Sequence, residues 1–267
     1  MSVEALIIHL TRAEKRRAHV DHLLASLPLD ASIVDAVDGR ALCDTDVASF
    51  YSPRLHRPIY PFALSRNEVA CFLSHRKAWQ TILDRNLEAA LIMEDDAAPT
   101  ASFASSLALG LSHIGTAGFI RFPFREGRER GRVIAEVDGV SLIEPVCVGL
   151  GMVAQLVSRT TAIQLLRATE RIDRPVDTLL QMPWVTGVVP RSVVPGAISE
   201  ISPALGGTTL PKNLGLLAKL KREGLRPVYR MKISIRSRLA KATGWRGAFI
   251  EEQGVPPIAG GQLPDAP

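Results

Sequence analysis

Cysteine is scarce in this sequence, and none of it is paired in a metal or redox motif. The 267 residues contain three cysteines, Cys43, Cys71 and Cys147, an odd number without CxxC spacing. This usage argues against a disulfide framework and against a zinc site. It is typical of a reducing compartment, so we expect the three thiols to be small buried apolar groups.

A basic leader and a long apolar run are also missing. The start, MSVEALIIHLTR, has no basic region before its short apolar run, so we expect no signal peptide. The uncharged stretch 97–120 is too polar for a membrane span. Charged residues make up 22%, near the globular average, which argues against wholesale disorder. These absences predict a folded cytoplasmic protein.

The net charge of +5 is unevenly distributed, because residues 212–246 carry eleven Lys and Arg against one acid. We therefore predict a domain over 1–205 and a basic, partly amphipathic extension over 206–267 with a Pro/Gly-rich end. Apolar residues between the cations favour peripheral contact of 212–246 with an anionic membrane. No nucleic-acid motif accompanies the charge, so no nucleic acid is expected. A loosely structured polar tail is the alternative.

The periodicity of the chain predicts an α/β fold. ALIIHL (5–10) has the pattern of a buried strand, Thr11 and Glu14 form a capping-box pattern before a helix, and ASIVD begins a second strand. Residues 44–63 contain three prolines and predict a loop. A helix then begins at Ser65, with Glu68 completing a second capping box, and AALIM (89–93) is the next strand. Further strands are expected at 132–137, 141–148 and 152–157.

Three adjacent acids, Glu94, Asp95 and Asp96 (the acidic cluster), follow the AALIM strand. Ligands of open α/β sheets bind beyond the carboxyl ends of strands. In extended geometry Glu94 and Asp96 face one side and Asp95 the other, and two such oxygen donors suit Mn²⁺ or Mg²⁺. A solvated acidic turn or an N-cap for the next helix would explain the same residues.

Five segments in order resemble glycosyltransferase family 25, the lipopolysaccharide-type bacterial glycosyltransferases. They are IIHLTRAEKRR, VDAVDGR, LSRNEVACFLSHRKAW, ALIMEDD, and GLGMVAQLVSRTTAIQLL with RPVDTLL. The resemblance implies a GT-A-like nucleotide-sugar-binding fold, a Rossmann-like mixed sheet flanked by helices. It also implies inverting transfer of a hexose, often galactose, from a nucleotide-diphosphate sugar to a glycan or lipid-linked acceptor in lipopolysaccharide or surface-polysaccharide synthesis.

The sequence departs from the family pattern at several places. Asn67 to Ala70 replace the usual Gly-Glu-Ile-Gly, His9 replaces an Asn, and Gln155 stands where an aromatic residue is common. These departures motivate an alternative, a non-catalytic carbohydrate- or membrane-surface-binding protein that retains the fold. A metal-dependent phosphohydrolase is a third hypothesis.

Candidate donor-binding residues follow the first two strands, where a nucleotide would lie at the switch point of the sheet. An Arg there can grip a diphosphate through its forked donors. Arg12 is the preferred one, whereas Arg16 and Arg17 are each better explained as a solvated helix face. Asp38 contacts the base or ribose, or forms an ordinary Asp-Gly turn. The predicted donor-binding set is Leu10, Thr11, Arg12, Arg17, Asp38, Gly39, His75 and Glu94.

The remaining assignments concern metal and catalysis. Asp96 and Glu94 are the predicted ligands of Mn²⁺ or Mg²⁺. Asp177 in RPVDTLL is predicted to act as the general base for the attacking hydroxyl or to bind the donor, with helix N-cap as the alternative, and Asp95 is grouped with it as catalytic. His75 either orients the acids or is a satisfied core histidine. We expect the protein at the inner face of the cytoplasmic membrane.

Overall fold

A computed structural model describes residues 2–125, 127, 129–205 and 216–242, and the side chains of the last segment over 223–240. Ten strands are present in this part of the chain. They are β1 (Val3–His9), β2 (Ala31–Asp35), β3 (Ala89–Glu94), β4 (Ala97–Pro99), β5 (Phe119–Arg121), β6 (Gly131–Val137), β7 (Val140–Pro145), β8 (Ala154–Ser158), β9 (Arg191–Val194) and β10 (Ile198–Glu200).

Eight of these strands form one sheet in the order β2-β1-β3-β8-β5-β9-β7-β6. β1 runs parallel to both β2 and β3, and β5 runs parallel to β9, while the other neighbours are antiparallel. β4 and β10 form a separate two-stranded sheet. The predicted mixed α/β architecture is confirmed, and its parallel β2-β1-β3 edge places three carboxyl ends side by side.

Helices cover both faces of this sheet. They are α1 (Glu14–Ser26), α2 (Asp44–Phe50), α3 (Arg66–Asp84), α4 (Phe103–Ala117), α5 (Arg159–Ala168), α6 (Val176–Leu179), α7 (Pro183–Thr186) and α8 (Leu216–Ala242). Because side chains alternate along a strand, Leu6 and Ile8 of β1 join the core with Phe72 of α3, whereas Ala5 and Ile7 face the core with α1 and α4.

Three local predictions are wrong. Residues 44–50 form α2 rather than a loop, because Cys43 and Asp46 close a capping box that begins a helix before the first proline. α1 begins at Glu14 with Ala13 as N-cap and no side-chain cap bond, so the Thr11 capping box is not made. The cysteines are not buried, since Cys43 and Cys71 are exposed and Cys147 is half-buried.

The C-terminal helix α8 packs on the domain by one face. Tyr229 and Ile233, one turn apart, are buried and contact Met182. The buried Arg174 donates a 2.6 Å hydrogen bond to the Tyr229 hydroxyl. Among the described residues, no helix has the length and apolar character needed to cross a membrane. The segments 206–215 and 243–267 of the predicted extension lie outside the described residues.

Candidate active site

A pocket of about 180 Å³ lies at the carboxyl ends of β1, β2 and β3. The loops after β1 and β2 form one wall, with Leu10, Arg12 and Gly39. The first half of α3 forms another, and the acidic cluster lies between them. Parallel strands end at the same edge, so three segments distant in sequence meet here.

The acidic cluster is held by a buried network from β1 and α1. Arg16 donates to a carboxylate oxygen of Asp95, and it contacts Asp96 Oδ2 at 3.1 Å. His9 Nδ1 lies 2.9 Å from the other Asp95 oxygen, and an ionised carboxylate only accepts, so Nδ1 is the donor. Strand β3 ends at Glu94, so the extended geometry assumed for Asp95 and Asp96 is wrong, and a turn directs both to the same guanidinium.

Asp96 is the electrostatically perturbed member of the cluster. Burial raises its pKa from 3.8 to about 7, and the charge of Glu94 adds to the rise while Arg16 opposes it. Within the described part of the chain, its Oδ1 is buried and has no hydrogen-bond partner. A buried carboxylate oxygen without a partner is costly unless a proton or a cation binds there.

Glu94 is contacted from α3 by His75. His75 is buried, and its Nε2 lies 3.2 Å from Glu94 Oε1. The other ring nitrogen, Nδ1, lies 3.1 Å from the side-chain nitrogen of Gln155 on β8. Gln155 is fully buried, and its Oε1 has no partner among the described residues. The residue that departs from the family pattern is therefore in direct contact with the site.

Cys71 lies one helical turn before His75 and lines the same pocket. The residue is exposed on the side of the pocket, and the pocket walls lie around it. Desolvation by that surrounding protein raises the Cys71 pKa well above its ordinary value, and the carboxylates of Glu94, Asp177 and Asp96 raise it further. The thiol is therefore neutral unless a cation displaces its proton.

Arg12, in the pocket wall, pairs with Asp38 of the loop after β2. Arg12 Nε donates a 2.6 Å hydrogen bond to Asp38 Oδ2, which with the backbone N–H of Arg40 holds the Asp38 pKa below its usual range. Next to them Gly39 packs against α3, where an added Cβ would lie 2.9 Å from Asn67 Cα. A glycine here lets the loop after β2 approach the first turn of α3.

Two predicted donor-binding residues line a different depression on the surface. Thr11 and Arg17 line a neighbouring depression, together with Glu14 and Asp35. Arg17 forms an exposed ion pair with Asp21, one turn along α1. This placement separates them from the five predicted donor-binding residues that line the main pocket, namely Leu10, Arg12, Gly39, His75 and Glu94. Asp38 does not line it and is joined to it through its bond to Arg12.

Asp177 lies on the short helix α6 and does not cap it, because the N-cap is Pro175. Its Oδ2 accepts a 3.0 Å hydrogen bond from the backbone N–H of Gly151, and its Oδ1 accepts one from the Thr178 hydroxyl. Its charge acts on Cys71 in the pocket wall. The carboxylate is thus fixed on a separate element beside the pocket.

Sequence reasoning missed Arg16 and His9. Arg16 is only 7% exposed, whereas the sequence favours a solvated face for it. A signal was present, because Arg16 precedes the buried Val20 by four residues and so shares the inward face of α1. No sequence signal identifies the Gln155 contact, since β8 reaches the site only through its pairing with β3.

The region that holds most of this pocket matches a known family. Residues 2–129 match the family model of glycosyltransferase family 25 (LPS biosynthesis protein), which confirms the resemblance over that region. Procollagen galactosyltransferase 2 of Mus musculus is 35% identical over 96 residues, covering 35% of this chain and 15% of that protein. Inactive glycosyltransferase 25 family member 3 of Mus musculus is 34% identical over 96 residues, covering 35% of this chain and 16% of that protein.

The match thus spans about a sixth of the length of these relatives. Among solved structures, the crystal structure of mannose-1-phosphate geranyltransferase from Thermus thermophilus is similar with a TM-score of 0.38 and 10% identity. That similarity covers 72% of this chain and 74% of the other. It is too weak to bear on function.

Proposed function

We propose that this chain, whose residues 2–129 match the model of glycosyltransferase family 25, is a glycosyltransferase that moves a hexose with inversion from a nucleotide-diphosphate sugar to an acceptor hydroxyl. The observation that carries the proposal is the acidic cluster, anchored at the carboxyl ends of parallel strands in an open pocket. Galactose is the first donor sugar to test, because a relative is named a galactosyltransferase. A GT-A-like arrangement of the sheet is part of the same proposal.

A divalent cation fits the donor set. Asp96 offers a buried oxygen without a partner among the described residues, and Glu94 lies close enough to be the carboxylate that most raises the Asp96 pKa. Two carboxylates with water completing the shell suit Mn²⁺ or Mg²⁺. When bound, such a cation offsets the charge that develops on the departing diphosphate.

The other side chains bind, orient or move a proton. Arg12 is the proposed contact to the diphosphate, since it lines the pocket and its guanidinium is already oriented by Asp38. Asp177 is the proposed base, taking the proton of the acceptor hydroxyl as the oxygen attacks the anomeric carbon. Both carboxylate oxygens of Asp95 accept hydrogen bonds, one from His9 and one from Arg16, so the proposed role of Asp95 is to position these two side chains.

Helix α8 supports a peripheral membrane location. Its outer face exposes an apolar stripe at helical spacing, Val228, Met231, Ile235 and Leu239, each between 43% and 59% exposed. Arg and Lys at 226, 230, 232, 236 and 238 flank this stripe. The combination fits an anionic surface, here the inner face of the cytoplasmic membrane, where a lipid-linked acceptor of lipopolysaccharide or surface-polysaccharide synthesis would be reached.

The membrane proposal is tested by sedimentation with vesicles. We expect the full chain to sediment with phosphatidylglycerol-containing vesicles and not with neutral ones. Ile235→Ser with Leu239→Ser should abolish sedimentation, whereas Val133→Ser, on an exposed apolar side chain of β6, should leave it unchanged. Equal sedimentation of both variants would contradict the proposal.

The catalytic proposal is tested by a panel of nucleotide sugars with Mn²⁺, scored first by thermal shift and then by transfer. A ligand that binds only the folded state raises the melting temperature. Asp96→Asn should abolish transfer and the Mn²⁺-dependent shift, while Asp30→Asn, an exposed acid outside the pocket, should retain both. Full turnover by Asp96→Asn with a native circular-dichroism spectrum would refute the assignment.

A non-catalytic carbohydrate- or membrane-surface-binding protein is the second candidate. It is favoured by the similar identity of this chain to a galactosyltransferase and to a protein named inactive. Calorimetry with uridine-diphosphate sugars and Mn²⁺ separates the two candidates. Vesicle binding without metal-dependent nucleotide binding would favour the second.

A further inference from the structure

A sulfur, a nitrogen and an oxygen ligand converge on the α3 side of the pocket. Cys71 and His75 are four residues apart on α3, so both side chains lie on one face of that helix. Glu94 reaches the same point from the end of β3. One ligand atom from each of the three residues lies within 4.8 Å of the other two.

These donor types suit zinc better than the cation proposed for catalysis. Zinc takes thiolate sulfur at about 2.3 Å, imidazole nitrogen at about 2.0 Å and carboxylate oxygen at about 2.0 Å in a tetrahedral shell. Ligand atoms in such a shell stand roughly 3 to 4 Å apart, so small side-chain rotations complete it. His75 Nε2 and Glu94 Oε1, at 3.2 Å, are already at that spacing.

Gln155 supplies an independent observation that points to a bound cation. Its amide is fully buried against His75 Nδ1, with Oε1 unpartnered in the described part of the chain. A half-turn of the amide exchanges oxygen and nitrogen, so Oε1 then accepts from an Nδ1–H. That tautomer leaves the Nε2 lone pair facing Cys71 and Glu94, as in metal-bound histidines whose second nitrogen donates to a carbonyl.

We propose that Cys71, His75 and Glu94 form a zinc site with an open fourth position toward the pocket. When zinc binds, the Cys71 thiol releases its proton to solvent and the thiolate sulfur bonds the metal. The His75 proton moves from Nε2 to Nδ1, so the Nε2 lone pair makes the second bond. The spacing of the cysteines does not predict this set, because only one ligand is a cysteine and Glu94 comes from a strand. The alternative is a simple His75–Glu94 hydrogen bond beside an uninvolved thiol.

Zinc at this site would compete with the proposed catalytic cation, because Glu94 belongs to both donor sets. This consequence rests on the proposed function, whereas the zinc site itself does not. Zinc alone is therefore measured first, without nucleotide, acceptor or turnover.

The direct test is calorimetric titration of the full chain with Zn²⁺, and spectroscopic titration with Co²⁺ as its substitute. We expect one site, with a sulfur-to-cobalt charge-transfer band in the near ultraviolet. Cys71→Ser should remove that band and weaken zinc binding by at least about 100-fold. Cys43→Ser, an exposed cysteine outside the pocket, is the matched control and should change neither. Thermal unfolding without zinc checks that each variant is folded.

Gln155→Leu distinguishes a built site from a fortuitous one. The variant keeps all three ligands and removes the carbonyl, so zinc binding should weaken about 10- to 100-fold while stoichiometry stays at one. The proposal would be overturned if Cys71→Ser left the zinc affinity unchanged, or if Asp96→Asn abolished zinc binding while Cys71 is intact. In either case zinc would bind the acidic cluster alone.

The competition is measured by Mn²⁺ electron paramagnetic resonance, which reports free Mn²⁺. One equivalent of zinc should release bound Mn²⁺ from the native chain and not from Cys71→Ser. Release from both would place zinc in the catalytic cation site and contradict a separate site. If Mn²⁺ does not bind at all, the proposed function fails while the zinc titration retains its own result.

Discussion

Replacing Asp96 by Asn should stabilise the protein while removing its proposed metal binding. Asp96 is 8% exposed, and one of its oxygens has no partner among the described residues. Its ionised form is therefore unfavourable in the folded state. The unfolded chain ionises the same group at its ordinary pKa of 3.8, whereas the folded chain does so only at about 7.

The sign of the effect follows from proton binding. Between these two pKa values the folded state holds the proton and the unfolded state does not, so the native protein loses stability as the pH rises. The shift from 3.8 to about 7 corresponds to about 4 kcal/mol, at about 1.4 kcal/mol per pKa unit. Asn leaves a buried amide nitrogen that costs about 2 kcal/mol, so the net gain at pH 8 is about 2 kcal/mol.

Urea unfolding followed by circular dichroism at pH 5 and pH 8 tests this reasoning. The stability of Asp96→Asn relative to the native chain should rise by about 3 kcal/mol between the two pH values, without metal. Saturating Mn²⁺ should stabilise only the native chain, by about 3 kcal/mol at a hundredfold excess over the dissociation constant. Asp30→Asn should show no such pH dependence. A variant less stable than the native chain at pH 8, or a difference independent of pH, would refute the argument.

Three further substitutions test other parts of the structure. Arg16→Met leaves the buried carboxylates of Asp95 and Asp96 without the guanidinium, so it should destabilise the metal-free protein at pH 8 by about 3 to 5 kcal/mol in urea unfolding. Added Mn²⁺ should restore part of the lost stability. Tyr229→Phe removes an acceptor from the buried Arg174 and should lower the free energy of unfolding by about 1.5 to 3 kcal/mol. Hydrogen exchange should become faster in α8 alone. Unchanged exchange would show that the hydroxyl does not hold the helix on the domain. Gly39→Ala places a Cβ 2.9 Å from Asn67 Cα, so it should lower the free energy of unfolding by about 1 to 3 kcal/mol. It should also weaken nucleotide binding in calorimetry. Unchanged stability and binding would mean that the loop can move away from α3.

The parts of the site that could be predicted are those encoded locally. Strand β1, the capping box of Ser65 and the position of the acids after β3 each depend on a few neighbouring residues. The switch-point rule then places the acids and the loop after β1 at one edge without knowledge of the tertiary structure. The apolar stripe of α3 predicts that His75 points inward, either to orient the acids or as a core histidine, and in the structure its Nε2 lies 3.2 Å from Glu94 Oε1.

The remainder depends on pairings that no local pattern encodes. His9 and Asp95 are 86 residues apart in sequence, and their contact follows from the register that pairs Ile8 with Glu94. Gln155 reaches the site because β8 inserts antiparallel beside β3, which the periodicity of β8 alone does not show. The predicted alternation of Glu94, Asp95 and Asp96 fails because the chain turns after Glu94, and side chains alternate only in an extended chain.

The charge balance of the site connects these contacts with the proposed chemistry. Within the described residues, Arg16 is the buried guanidinium that contacts two of the three adjacent carboxylates, Asp95 and Asp96, so two negative charges remain when all three acids are ionised. A divalent cation matches that residual charge. Without one, the cluster lowers its charge by holding a proton on Asp96, whose pKa is raised to about 7 by burial and by the charge of Glu94. Arg16 therefore keeps Asp95 fixed while Asp96 stays available, so the cluster is organised for a cation before one arrives.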